Sequence, residues 1–197
     1  LTIPAGARIH IHGNTSAGKS SLVRALAALW PWGRGIISIP PAARLMVVPQ
    51  KPYLPTGTLR HALLYPDPAI EVTDPDVARA LADTGLAHLA PRLDQVDRWD
   101  QVLGNGERQR LCLARVLIHR PDIVVLDDAL AALDEVAQEE LERTIAARLP
   151  AATLVSLSQR PRAAEASTVR YEFVRGSDWA SLVPVAPAAS KPLVPTP

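Results

Sequence analysis

The segment Gly13 to Ser20, GNTSAGKS, constrains this chain more than any other. It fits the pattern glycine, four residues, then Gly-Lys-Ser, a phosphate-binding loop set between a strand and a helix. The spacing has a physical basis. Glycines let the backbone curl so that several N–H groups converge on one phosphate group. The helix that follows points its positive N-terminal end at the same group. Lys19 can reach β- and γ-phosphates as a compact charge, and Ser20 can offer a hydroxyl to Mg²⁺. Lys19, Lys51 and Lys191 are the only lysines. One of the three stands where an ammonium suits the loop and a planar guanidinium would not. The flanks agree with this reading. ARIHIH (7–12) alternates as a strand does, and in SSLVRALAAL (20–29) Leu22, Val23, Leu26 and Leu29 mark one helical face.

Beyond the loop, strands and helices alternate. Pro31, Gly33 and Gly35 in WPWGRG end the first helix and turn the chain. Two short apolar runs follow, over 36–39 and 45–48. The second leads into VPQKPYLPTGTLRHALLYP (48–66), a proline-punctuated loop and then a short helix. Asp74 and Pro75 open a helix through Leu81. Trp99 is expected to anchor the mixed stretch 86–101. GNGE (104–107) opens an apolar helix to His119, which Pro121 stops. IVVLDD (123–128) is an unbroken apolar run ending in two carboxylates, as in a parallel strand buried on both faces. Asp134 caps a helix on which Ala137, Leu141, Ile145 and Leu149 recur and Glu139 pairs with Arg143. TLVSLS (153–158) and VRYEFV (169–174) read as two more strands. From Ser177 the chain is rich in Pro and Ala, and residues 177–197 are expected to be a disordered tail. The fold class is therefore α/β, a mostly parallel sheet flanked by helices, with ligands at the carboxyl ends of the strands.

Bulk properties exclude several alternatives. At 197 residues one domain is expected. Lys and Arg total 21 against 20 Asp and Glu, interleaved along the chain, which gives no argument for a nucleic-acid partner. Cys112 is the single cysteine, so no internal disulfide is possible, and beside Leu111 and Leu113 it reads as a small buried hydrophobe. His10 and His12 lie two apart without an evident third ligand and read as ordinary packing or surface histidines. No apolar run is long enough to span a bilayer. The abrupt start, twelve residues before Gly13, suggests a piece of something longer.

A phosphate loop that handles a nucleotide needs a partner for its metal. Asp127, at the end of the apolar run, suits the aspartate that holds Mg²⁺, usually through water. Asp128 beside it can orient or deprotonate an attacking water.

In this order the motifs closely resemble the nucleotide-binding domain of ABC transporters, from about residue 1 to 179. GNTSAGKSS resembles its Walker A segment: Gly13, Asn14, Thr15, Ser16, Ala17, Gly18, Lys19, Ser20 and Ser21. VVPQKP resembles its Q-loop, with Gln50 as the residue that contacts Mg²⁺ and senses the γ-phosphate. LGNGERQR stands where the signature LSGGEQQR is expected, with Gly104, Asn105, Gly106 and Glu107 facing a partner's phosphate. LDDALAALD covers Walker B and a D-loop ending at Asp134. LVSLSQR leads into the switch position, Gln159. The fillers LWPWGRG, PQKPYLPTGTLRHALLYP and Arg120-Pro121-Asp122 resemble one branch, the peroxisomal fatty-acyl transporters and their bacterial peptide and antibiotic uptake relatives. The resemblance implies a P-loop NTPase (RecA-like) domain over residues 1–176. A small helical subdomain over about 58–115 carries the signature. It places an adenine-stacking aromatic upstream of Leu1, so that strand and contact are expected to be missing here.

The implied function is the ATP-binding domain of an ABC transporter. ATP and Mg²⁺ are its cofactors, with the metal on Ser20, Gln50 and Asp127. A second ABC ATPase domain, as homo- or heterodimer, and a transmembrane domain fused upstream are its partners. The implied place is the cytoplasmic face of the inner or plasma membrane, or the soluble cytoplasm for the piece alone. Catalysis falls on Asp128, Gln159 and Gln50, and here the chain departs from the family. Ser16 replaces a loop glycine. Gly104 replaces the signature serine and Asn105 the next glycine. Asp128 replaces the catalytic glutamate, its carboxylate retracted by roughly 1 Å, a misplacement that can slow a reaction about 10²-fold. Gln159 replaces the switch histidine with an amide that cannot become cationic. Slow hydrolysis is the expectation. The alternatives are a non-hydrolytic module that dimerises on ATP, and a truncated or decayed ATPase.

Overall fold

The computed structural model describes residues 1–32, 34–159, 161, 168–176 and 180–185. Strands β1 (Arg8–His12), β2 (Leu45–Val48), β5 (Ile123–Asp127), β6 (Thr153–Ser158), β7 (Thr168–Arg175) and β8 (Ala180–Val185) form one sheet in the order β2-β5-β6-β1-β7-β8. All neighbours are parallel except β7 and β8. β6 is buried along its whole length, and β1 and β5 are buried at their centres. Their sequences accordingly read as apolar runs. The register brings His12 beside Ser158 and Leu126 beside Ser156. The loops after β1, β2, β5 and β6 therefore leave the sheet along one edge.

Helices α1 (Lys19–Leu26), α5 (Asn105–His119) and α6 (Glu135–Arg148) accompany the sheet. Each begins where its sequence allows. Asp134 accepts a hydrogen bond from Ala137 N at 2.9 Å and caps α6. Gly104 precedes α5, with Glu107 reaching back to its N–H at 3.0 Å. Helices α2 (Leu59–Leu64), α3 (Asp74–Asp83) and α4 (Trp99–Val102), a 3₁₀ turn at Ala87–Arg92 and a two-residue pairing of β3 (Gly57–Thr58) with β4 (Val96–Asp97) fill the stretch before α5. Their core includes Leu59, Leu63, Val77, Leu81, Leu86 and Leu89, packed on Leu111 and Leu113 of α5. Trp99 is fully buried, donates to Gly57 O at 3.1 Å and lies under the Arg92 guanidinium at 4.7 Å. This is the anchor expected of it.

Arg115 ties this helical unit to the chain after β2. It is buried, donates to Ala62 O at 2.7 Å and Tyr53 O at 2.9 Å, and burial pulls its pKa down from the ordinary guanidinium value. Cys112 is a buried free thiol whose pKa burial pushes up, the opposite of what a nucleophile needs.

Several expectations change. Helix α1 ends at Leu26, Ala28 turns left-handed at φ 57, and Leu29 is 71% exposed instead of completing the apolar face. The run at 36–39 is irregular, with Ile36 95% exposed. Thr73 caps α3, which starts at Asp74 and runs two residues past Leu81. The expected disordered tail is corrected at Ala180–Val185, which form edge strand β8 antiparallel to β7. Pro184 pairs with Tyr171 there and needs no donor on the outer side of an edge strand. Gly33, residues 177–179 and residues 186–197 lie outside the described residues.

Candidate functional site

The loop from Gly13 to Ser20 leaves the end of β1 and closes on its own lysine. Lys19, the first residue of α1, is 6% exposed, and its Nζ donates to Gly13 O at 2.5 Å and Asn14 O at 3.0 Å. The ammonium sits inside the curl, where a phosphate would meet it. Two glycines are required by the geometry. A Cβ on Gly13 would stand 2.8 Å from Phe173 O, and Gly18 caps α1 at φ 112 with the Phe173 ring beside it. Arg175 Nη1 donates to Ser16 O at 2.8 Å. The end of β7 thus braces the loop from the outside, a role for Phe173 and Arg175 that the local motif does not reveal.

Ser16 has φ 70, so the residue that replaces a loop glycine occupies the left-handed region. That conformation costs roughly 1–2 kcal/mol with a side chain, against about 0.4–1 kcal/mol of extra unfolded-state entropy that glycine would bring. Strain wins narrowly. Ser16→Gly is expected to raise stability by about 0.5–1 kcal/mol, read as a midpoint shift in urea unfolding.

Around the loop opens a cleft of about 280 Å³, lined by Thr15, Ser16, Gly18, Lys19, Ser20, Ser21, Gln50, Asp128 and Gln159. Residues far apart in sequence meet here because four parallel strands end on one edge. Gln50 follows β2, Asp128 follows β5 and Gln159 follows β6. Asp128 turns the chain at φ 47, a conformation Asp tolerates better than most, while its N–H continues the ladder to Leu157 O at 3.0 Å. Thr15 Oγ1 lies 3.3 Å from Gln159 Oε1, joining the loop to the switch position. Gly13, Asn14 and Ala17 shape the loop without lining the cleft.

Asp127 is partly buried behind Ser20. Burial raises its pKa most, the Ser20 hydrogen bond opposes that, and neighbouring Asp128 raises it further. An aspartate desolvated beside a hydroxyl and a second carboxylate suits a cation. The donors Ser20, Asp127 and Gln50 are all oxygens of the hard type Mg²⁺ takes. Among the described residues no cluster of three or more His, Cys, Asp or Glu forms a cage. Mg²⁺ needs none, since it keeps waters and binds phosphate oxygens. The raised pKa has a consequence for the protein alone. Below the ordinary carboxylate range Asp127 is protonated folded or unfolded. As pH rises through its raised folded value, ionisation is harder in the folded state and stability falls. Asp127→Asn keeps an acceptor for Ser20 and is expected to unfold at higher denaturant than the natural protein near pH 7. The gap should close as pH falls below the ordinary Asp range.

The signature segment does not line this cleft. Gly104, Asn105, Gly106 and Glu107 lie at the start of α5. Glu107 is engaged by Gly104 N and by His88 Nε2 at 3.2 Å, and Asn105 Oδ1 is held by Arg108. Asp134 also stands apart, as the cap of α6. Sequence reading missed Gln109, a buried amide that bonds to Gln50 O and Ala132 N. The available signal is its place on the same α5 stripe as Cys112 and Val116, where an apolar residue would be routine. His10 is buried, with Nε2 3.1 Å from Ser158 Oγ, which makes it a packed histidine under the loop.

Comparison with known proteins fits this geometry. The profile described as ABC transporter matches residues 1–131. An ABC transporter ATP-binding protein of Haemophilus influenzae is 36% identical over 160 residues, 81% of this chain and 27% of that protein. ATP-binding cassette sub-family D member 3 of Mus musculus is 36% identical over 139 residues, 66% of this chain and 21% of that one. A bacterial and a mammalian relative of these kinds agree with the branch to which the filler segments pointed. The chain thus spans about a quarter of the length of these curated relatives. The solved structure of a bacterial Atm1-family ABC exporter with ATP bound superposes with a TM-score of 0.70 at 23% identity, over 87% of this chain and 32% of that one, which is likeness of fold. The Walker-type loop, the carboxylate pair at the end of β5, the sheet order and the matched profile converge on one assignment: the chain belongs to the ABC transporter family, as its ATP-binding domain.

Proposed function

We propose that this domain binds Mg-ATP in the cleft around Lys19, at an interface with a second ABC ATPase domain, and couples that binding to a transmembrane domain while cleaving the γ-phosphate slowly. The observation that carries the reading is the cleft itself. It assembles Lys19, Ser20, Gln50, Asp128 and Gln159 from four strand ends. Lys19 and the N–H groups opening α1 bind the β- and γ-phosphates. Ser20, Gln50 and Asp127 would hold Mg²⁺, which when bound supplies positive charge to the phosphates. Asp128 orients a water and takes its proton as the water's oxygen bonds to the γ-phosphorus and the bond to ADP breaks. Gln159 donates an amide hydrogen bond to a γ-oxygen. The substituted groups act at the γ-phosphate, whereas Lys19 and the loop act on binding, so affinity survives better than turnover.

Gly104, Asn105 and Gly106 stand outside their own cleft, which suits donation to a partner's site. A domain of this kind works at the cytoplasmic face of a membrane. Among the described residues no helix is long and apolar enough to cross one. The non-hydrolytic reading, ATP as a glue between two domains, is favoured by Asp128 and Gln159 standing for glutamate and histidine. Analytical ultracentrifugation with and without Mg-ATP tests the interface. An ATP-dependent shift to dimer, absent with Lys19→Met, is expected. Equal sedimentation with and without ATP would overturn self-association and leave only a different partner domain.

A further inference from the structure

We propose that Gln109 is a positioning residue of the nucleotide site, holding the Gln50 segment and the loop after Asp128 at a fixed separation. The inference rests on the Mg-ATP reading above. Gln109 lies one turn into α5 and is 4% exposed. Its Oε1 accepts from Ala132 N at 3.0 Å, and its Nε2 donates to Gln50 O at 3.5 Å. The two partners fix which way the amide faces. A backbone N–H demands the oxygen and a backbone carbonyl demands the nitrogen, so a flipped amide would lose both bonds. One side chain therefore spans the loop that brings Gln50 to the cleft and the loop that runs from Asp128 to Asp134.

The rest of that second loop is also gripped by helices. A Cβ on Gly106 would come within 3.1 Å of Leu133 Cδ2, so the first turn of α5 packs close against it. Gln138 Nε2 donates to Leu133 O at 2.7 Å from α6. Lys19 and the phosphate loop, by contrast, are braced by β7. The site thus has two sides with different supports, joined where Ser20 meets Asp127. The phosphate loop rests on β7, and Gln109 links the Gln50 segment to the loop that follows Asp128. A burial-loving methionine would fill the space, but it could neither receive the Ala132 N–H nor reach the Gln50 carbonyl.

The test separates the two sides. Gln109→Glu keeps the length and can still accept from Ala132 N, but sets a carboxylate against Gln50 O. Gln109→Met removes both bonds. ATP affinity is measured in EDTA, and Mn²⁺, as a probe for Mg²⁺, is titrated into ATP-saturated protein. Both variants are expected to need about five- to tenfold more Mn²⁺ for half-saturation, the loss of roughly one hydrogen bond. Their ATP affinity in EDTA should stay within about twofold of the natural protein, because neither bond that changes involves Lys19 or the phosphate loop. In nucleotide-free protein, amide exchange at Ala132 should speed up in Gln109→Met and hold in Gln109→Glu. An unchanged Mn²⁺ response in both variants, or ATP affinity in EDTA falling in parallel with the Mn²⁺ response, overturns the proposal. If the natural protein binds no ATP in either condition, the functional reading itself fails and takes this inference with it.

Discussion

Lys19→Met is expected to weaken ATP binding by roughly 100-fold or more without unfolding the protein. Hydrogen bonds from a charged donor to phosphate are worth about 1.5–3 kcal/mol each, and the ammonium can reach two phosphates, so about 3 kcal/mol is at stake. Part of that bonding already exists within the loop, where Nζ is held by Gly13 O and Asn14 O. The gain on binding is therefore the exchange of carbonyl for phosphate oxygens, and it stays large because only phosphate is anionic. Methionine keeps the stem that packs in the curl and removes the charge. Lys19→Arg should not rescue affinity, since carbonyls at 2.5 and 3.0 Å leave room for a point charge and not for a planar fork. Calorimetric titration with Mg-ATP reads the change, and circular dichroism confirms that both variants are folded.

Asp128→Glu combined with Gln159→His should accelerate single-turnover hydrolysis by about 10²-fold, the scale set by a carboxylate displaced by roughly 1 Å. The backbone places both residues at the cleft already. What differs is reach at one and chemistry at the other. Glutamate extends the carboxylate toward the water, and histidine supplies a ring that can carry positive charge beside the γ-phosphate. The single changes should give less than their product suggests, because water activation and γ-phosphate contact act on the same step. Thr15 Oγ1, now 3.3 Å from Gln159 Oε1, is then free to meet the imidazole. Quenched-flow measurement with protein in excess over ATP isolates the chemical step. A double variant no faster than the natural chain would locate the limitation elsewhere, at Gly104 and Asn105.

Much of the candidate site was legible because the elements that build it are local. Gly13 to Ser20 carries its own strand, curl and helix start within a few residues, and Asp127 ends an apolar run that reads as a buried parallel strand. The same holds for Asp134, whose capping bond to Ala137 N is a matter of three residues. What stayed hidden depends on contacts distant in sequence. Phe173 and Arg175 brace the loop from the far end of the chain, Arg175 lying 159 positions from Ser16, and no local pattern marks them. Gln109 could be suspected only from its polar side chain on a buried stripe. The φ of Ser16 depends on the path of the whole loop, so sequence left open whether the replaced glycine mattered. β8 was misread for a different reason. Proline and alanine lower the propensity for any structure, but an edge strand asks little of Pro184 beyond an extended backbone.

One experiment tests slow cleavage of the γ-phosphate most directly. γ-Labelled ATP and Mg²⁺ are mixed with an excess of the natural protein, and protein-bound ATP and released phosphate are followed in the same sample. The expected result is label retained on the protein as intact ATP long after binding is complete, with phosphate appearing slowly and with Lys19→Met retaining none. Absence of retained nucleotide, or conversion to ADP as fast as ATP binds, would contradict a site built to hold the γ-phosphate better than it cleaves it.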